Sequence, residues 1–221
     1  MTVLNLVKLP ITTIDVSPGS HLLINDVTWE QYETLLTDLG EERRVPRLNY
    51  CHGTLEIMSP LPAHERPHRI IADIVKAILD AQERDWGDFG STTFKKLKRA
   101  GLEPDTCFYI QNAEPVRALM RMDMDKDPPP DLAIEADVTS KTTLDAYATL
   151  QVPEVWIYDN SRLTIYLLQD HHYQPVTNSL VFPDLPITDW VPRLVKQAFA
   201  TGTSTMLRNW RQQLRQRQTK D

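Results

Sequence analysis

Apolar residues recur every three to four positions at Ile70, Ile71, Ile74, Val75, Ile78 and Leu79. That spacing puts one apolar stripe on a helix spanning about 67–84. Upstream, "TWEQYETLLTDLG" (28–40) predicts a second helix, with Thr28 as N-cap, Gln31 completing a capping box and Gly40 at the stop. Between them, "RLNYCHGTLEIMSP" alternates apolar and polar positions around His52-Gly53 and predicts a hairpin of two short strands. Three further strands are expected in "STTFKKLKR" (91–99), "PDTCFYI" (104–110) and "DLAIEADVT" (131–139). The Pro-rich, charged segment 111–130 reads as an excursion between the last two. "KTTLDAYATLQ" (141–151) predicts a short helix capped by Ser140. "PEVWIYDN" (153–160) and "LTIYLLQ" (163–169) predict a second hairpin turning at Asn160-Ser161, with His171 and His172 in the loop that follows. Trp156 and Tyr158 read as packing groups, and the chain from about 189 reads as helical. This order predicts an α/β fold with a mixed central β-sheet flanked by helices, an N-terminal helix and a β-hairpin. The expected divisions are an N-terminal extension (1–27), a main domain (28–188) and a C-terminal helical tail (189–221).

Composition narrows the class more than the function. At 221 residues, 41% hydrophobic and 24% charged, the chain suits one globular domain with a sizeable core. No apolar run approaches the ~18 residues of a membrane span, and Pro10 interrupts the N-terminal stretch that a signal peptide would need. Only Cys51 and Cys107 are present, so neither a zinc site nor a disulfide framework is expected, and the cytoplasm is the expected compartment. A net charge of −6 argues against a protein that coats nucleic acid, though not against a nuclease with local basic residues. The basic runs "FKKLKR" (94–99) and "LRNWRQQLRQRQTK" (207–220) read first as solvated surface.

The chemistry concentrates in "PPPDLAIEADVTSKT" (128–142), which carries Asp131, Glu135, Asp137 and Lys141. The three acids share one parity, so on a strand they share one face, and Leu132, Ile134, Ala136 and Val138 share the other. Asp105 opens the preceding strand and would join them if the two strands are neighbours. Clustered carboxylates repel unless something neutralises them, and a hard divalent cation, Mg²⁺ or Mn²⁺, does so with oxygen ligands. Lys141 would then stabilise charge developing on a phosphate. The same alternation also describes a half-exposed strand whose outer face is wet, so both readings stand on pattern alone.

A resemblance favours the metal site. Pro104-Asp105, followed by Glu135 on the next strand, resembles the PD-(D/E)xK nuclease superfamily. More closely, "GTLEIMSPLPAHE" (53–65), "EPDTCFYI" (103–110), "PPDLAIEADVTSKT" (129–142) and "AYATLQVPEVWIYD" (146–159) resemble the Uma-type "putative restriction endonuclease" family, much expanded in cyanobacteria. The resemblance implies a restriction-endonuclease-like core and Mg- or Mn-dependent endonuclease activity on DNA. It assigns Asp105 and Glu135 as metal-binding acids and suggests Glu65 as an auxiliary, while Asp131 and Asp137 are auxiliaries by their shared strand face. A homodimer is the expected assembly for an enzyme that cuts both strands. One departure stands out: Asp137 occupies the place where the superfamily has its lysine, so Lys141, or else Lys95, Lys96 or Lys98, must supply the cation. Without such a lysine, a nuclease fold that has become a binding or assembly module is the alternative. Glu56 and His64 are lesser candidates.

Overall fold

In the computed structural model, residues 16–40, 46–59, 62–90, 92–119, 122–136 and 141–218 are described, without the side chains of 62–65, 141 and 142. Among the described residues, two sheets and six helices form a layered α/β structure. The smaller sheet has the order β1-β3-β2-β6-β5, from His21–Ile24 (β1), Arg47–Cys51 (β2), Thr54–Met58 (β3), Phe94–Lys96 (β5) and Ala100–Leu102 (β6). The larger has the order β11-β10-β9-β8-β7-β4, from Gly87–Phe89 (β4), Thr106–Tyr109 (β7), Leu132–Ala136 (β8), Glu154–Asp159 (β9), Arg162–Gln169 (β10) and His172–Val176 (β11). It is mixed as expected, with β8 parallel to β9 and the other pairings antiparallel.

Helix α1 (Trp29–Leu39) begins at the predicted capping box, with Thr28 and Gln31 each accepting from the other's backbone N–H. Trp29 and Tyr32 of α1 pack on Leu48, Tyr50, Leu55 and Ile57, on the outer face of the smaller sheet. The opposite face of that sheet meets the larger one across a second core, where Cys51, Phe94 and Leu102 touch Cys107, Ala133 and Val155. Helix α4 (Lys141–Leu150) contributes Ala146, Tyr147 and Leu150 to that core. The far face of the larger sheet is covered by α2 (Pro62–Ala81), α5 (Ile187–Thr201) and α6 (Thr203–Gln218), around Phe108, Leu132, Ile134 and Trp156. Trp156 and Tyr158 are packing groups, as expected.

Several elements differ from the pattern-based expectation. Helix α2 runs from Pro62 instead of 67, with Pro67 inside it. Segment 91–99 is not one strand: Lys98 adopts φ +59° and turns the chain back, so that β5 pairs with β6. Segment 111–130 holds one short helix, Ala113–Val116 (α3). His172 is the first residue of edge strand β11, not a loop residue. Within the N-terminal segment to 27, β1 pairs with β3, and from Ile187 onward α5 and α6 share the core of α2. Ser140, the expected cap of α4, lies outside the described residues.

Candidate active site

Strand β8 bears on the wet-face reading of its acids. Both its faces are covered: Leu132 and Ile134 enter the core under α2, while Ala133 enters the core between the sheets. Glu135 shares the parity of Ala133, faces the space between the sheets and is only 5% exposed. The wet-face reading therefore fails for Glu135, because a central strand next to a parallel neighbour has no solvated side.

Asp105 reaches the same place from the preceding strand. Thr106 pairs with Ile134, so the next step of that antiparallel register sets Asp105 opposite Glu135. Its Oδ2 accepts from the backbone N–H of Ala136 at 2.8 Å, and its other oxygen, Oδ1, is ion-paired with Nη1 of Arg47 at the start of β2. Arg47 and Asp105 are both buried. Glu135 Oε1 accepts from the Tyr147 hydroxyl of α4. Glu56, beside Asn49 in the hairpin register, accepts at Oε2 from Thr143 (3.1 Å) and Asn49 (3.4 Å). Glu103, just after β6, fastens the hairpin: its carboxylate accepts from Leu48 N–H (3.1 Å) and Thr93 (2.9 Å), and its own N–H donates to Asn49 Oδ1 (3.2 Å).

The resulting pocket is acidic: Glu56, Glu103, Asp105 and Glu135 are all buried, Asp105 is ion-paired with Arg47, and Glu135 lies within reach of the charges of Arg47 and Glu56. Burial pushes the Glu135 carboxyl up to about 7, against the pull of the Tyr147 hydrogen bond and the Arg47 charge, with Glu56 adding to the rise. Burial, with the Glu135 charge beside it, drives the Tyr147 hydroxyl well above its ordinary range, so the proton between them stays on Tyr147. The donor chemistry suits a hard divalent cation, being all oxygen and in negative excess. Asp105 and Glu135 are the residues that would hold one. As arranged, both Asp105 oxygens already have partners. No group of three or more His, Cys, Asp or Glu side chains forms a metal cage among the described residues.

The other sequence candidates fall elsewhere. Asp131 directly precedes β8, four residues before Glu135 and about 13 Å away at ~3.3 Å per strand residue. Its Oδ2 accepts from Ile110 (2.6 Å), Gln111 (2.9 Å) and Asn112 (3.4 Å), so it anchors the turn after β7. Lys95 pairs with Glu33 at 2.8 Å, Lys96 donates to the Thr149 carbonyl at 3.2 Å, and Lys98 sits exposed in its turn. Asp137 lies outside the described residues, as do the side chains of His64, Glu65 and Lys141. Arg47, Asn49, Thr143 and Tyr147 are absent from the sequence-based candidates. For Arg47 and Asn49 the signal was the hairpin alternation, in which they and Glu56 oppose Leu48, Tyr50, Leu55 and Ile57; Thr143 and Tyr147, on α4, had no such signal. A cavity of about 430 Å³, lined by Trp86, Phe89, Val116 and Arg117, lies at edge strand β4, apart from these acids.

Among the described residues no helix is long and apolar enough to cross a membrane. No curated protein matches the chain. A solved structure described as a putative nuclease belonging to DUF820, from Anabaena variabilis ATCC 29413, is 16% identical, with a TM-score of 0.46, covering 82% of this chain and 99% of its own. A family model matches residues 29–195, from the first residue of α1 into α5. On that match, which takes in every residue of the acidic pocket, the chain belongs to the Uma2 family, described as "Putative restriction endonuclease".

Proposed function

We propose that the chain is a nuclease hydrolysing DNA phosphodiester bonds at the Asp105/Glu135 pocket, with Mg²⁺ or Mn²⁺ as cofactor. The observation that carries this reading is the convergence of two carboxylates from neighbouring strands in a buried, negatively charged space, in a chain of a nuclease-like family. When bound, the cation supplies Lewis-acid polarisation of the phosphate and acidifies water. The protein's own groups hold the carboxylates in place: Ala136 N–H at Asp105 Oδ2, Tyr147 at Glu135 Oε1, and Thr143 with Asn49 at Glu56 Oε2. Such fixed orientation lowers the reorganisation that charge development would otherwise require. Without metal, Glu135, its carboxyl at about 7, can take up or release a proton near neutral pH, and an ion bound there would hold it ionised. Lys141 opens α4 two residues before Thr143 and is the residue we assign to charge stabilisation on the phosphate, with Glu65 and Asp137 as auxiliaries.

The test is cleavage of supercoiled and linear DNA in Mg²⁺, Mn²⁺ and EDTA by wild type, Asp105→Asn and Glu135→Gln. Wild type is expected to cut only with metal, and each variant to lose at least about 100-fold while keeping its fold by circular dichroism. Undiminished cutting by both variants, or equal cutting in EDTA, refutes the assignment. A second reading, a nuclease-fold binding or assembly module without chemistry, is favoured by the ion pair that engages Asp105. It predicts neither cleavage nor any rise in melting temperature with metal.

A further inference from the structure

We infer that Arg47 is a resident counter-cation that competes with a divalent ion for Asp105. The inference rests on the proposed function only in placing that ion at Asp105 and Glu135.

Arg47 reaches the pocket from β2, a strand of the other sheet, and lies outside both segments that carry Asp105 and Glu135. A guanidinium this buried (5% exposed) is tolerated only beside a carboxylate, and Asp105 (8% exposed) is the partner to which it is paired. The second oxygen of Asp105 accepts from Ala136 N–H, a bond that ties the side chain just before β7 to the backbone of β8. An ion that draws on the oxygen Arg47 holds must displace the guanidinium or share that oxygen against like-charge repulsion. Arginine cannot relieve that repulsion by giving up its proton, as a lysine could. The hairpin that carries Arg47 is itself fastened by Glu103 and Asn49, so the guanidinium is held at the carboxylate by its strand and not only by the pair. In the metal-free protein Arg47 thus does part of what a divalent ion would do, and it weakens that ion's binding.

The experiment is Mn²⁺ and Mg²⁺ titration of Arg47→Met, Arg47→Lys and wild type, read by calorimetry and by melting temperature, with no substrate present. Removing the charge while keeping the side chain's bulk is expected to lower the melting temperature in EDTA and raise Mn²⁺ affinity at least tenfold, with the lysine variant in between. In an Asp105→Asn background the same substitution should leave Mn²⁺ affinity unchanged. Affinity that is indifferent to Arg47, or weaker without it, overturns the inference, as does an absence of metal binding in every form. Should Arg47→Met fail to fold in EDTA, folding restored by Mn²⁺ supports competition. If Mn²⁺ does not restore it, the lysine variant decides, since affinity equal to wild type overturns the inference. The two readings fail separately. Metal affinity coupled to Arg47 without any DNA cleavage sinks the nuclease assignment alone, whereas metal-dependent cleavage with affinity indifferent to Arg47 sinks only the competition.

Discussion

Asp131, just before β8, and Glu135, within it, share a parity, yet their surroundings give them different work. Asp131 has three backbone N–H groups at its carboxylate and ties down the turn between β7 and α3. Glu135 has a tyrosine hydroxyl, a neighbouring guanidinium and a pocket that resists its charge. Replacing Asp131 by alanine leaves at least one buried donor, Ile110 N–H, without its acceptor, at a cost of about 1–3 kcal/mol. Urea unfolding should show that loss in Asp131→Ala while any metal-induced rise in melting temperature is retained. A vanished metal response would instead place Asp131 with the site. Buried Glu154 has a role like that of Asp131, accepting from Leu180 N–H (2.7 Å), Val181 N–H (3.0 Å) and the Trp156 indole (2.5 Å). Counting charges along a strand cannot separate such anchors from a site, because both are acids at inward positions.

Elements with a strong local signal form where the pattern puts them. The capping box of α1 and the hairpins at His52-Gly53 and Asn160-Ser161 each need only contacts within a few residues, and His52, Asn160 and Ser161 adopt the positive φ that such turns use. Strands β1, β4 and β11 escaped the pattern. β4 is three residues long, and β11 carries His172, Gln174 and Pro175, which an edge strand tolerates because one side of it needs no ladder partner. Gly101 in β6 illustrates an element shaped by its neighbour. A Cβ there would overlap the Tyr32 ring, coming 2.5 Å from its Cζ, and that ring stacks on Tyr50 at 5.1 Å. Gly101→Ala is therefore expected to destabilise by about 1–3 kcal/mol, as overpacking does. Equilibrium unfolding checks this, and a Tyr32→Phe, Gly101→Ala double variant should recover part of the loss. An unchanged midpoint would show that α1 slides freely over the sheet.

At the scale of the molecule, the acidic pocket couples stability to pH. The folded state holds the Glu135 proton up to about 7, against 4.5 for an unperturbed glutamate. Between those values the folded state binds the extra proton. The stability this contributes is complete below about 4.5 and is lost as pH rises through 7. In EDTA, the melting temperature of wild type relative to Glu135→Gln should therefore fall between pH 5 and pH 8. Taking the difference removes the contribution of other groups shifted by folding, such as Asp73, which burial also raises. A difference that is flat with pH would mean that water reaches Glu135 and solvates its charge.

Local order and the class of the fold were determined by the sequence alone: the amphipathic α2, the capped α1, the two hairpins and the mixed order of helices and strands are written in short-range spacing. Asp105 and Glu135 were paired in the sequence only by resemblance and on condition that their strands are neighbours, and the antiparallel pairing of β7 and β8 meets that condition. Tertiary structure decided what surrounds that pair. Arg47, Asn49 and Glu56 arrive from a second sheet, and Thr143 and Tyr147 arrive from a helix laid between the sheets. No spacing rule links residue 47 to residue 105. Their meeting depends on how two sheets pack, and burial then makes it matter, since only out of water do a carboxylate and a guanidinium need each other this closely.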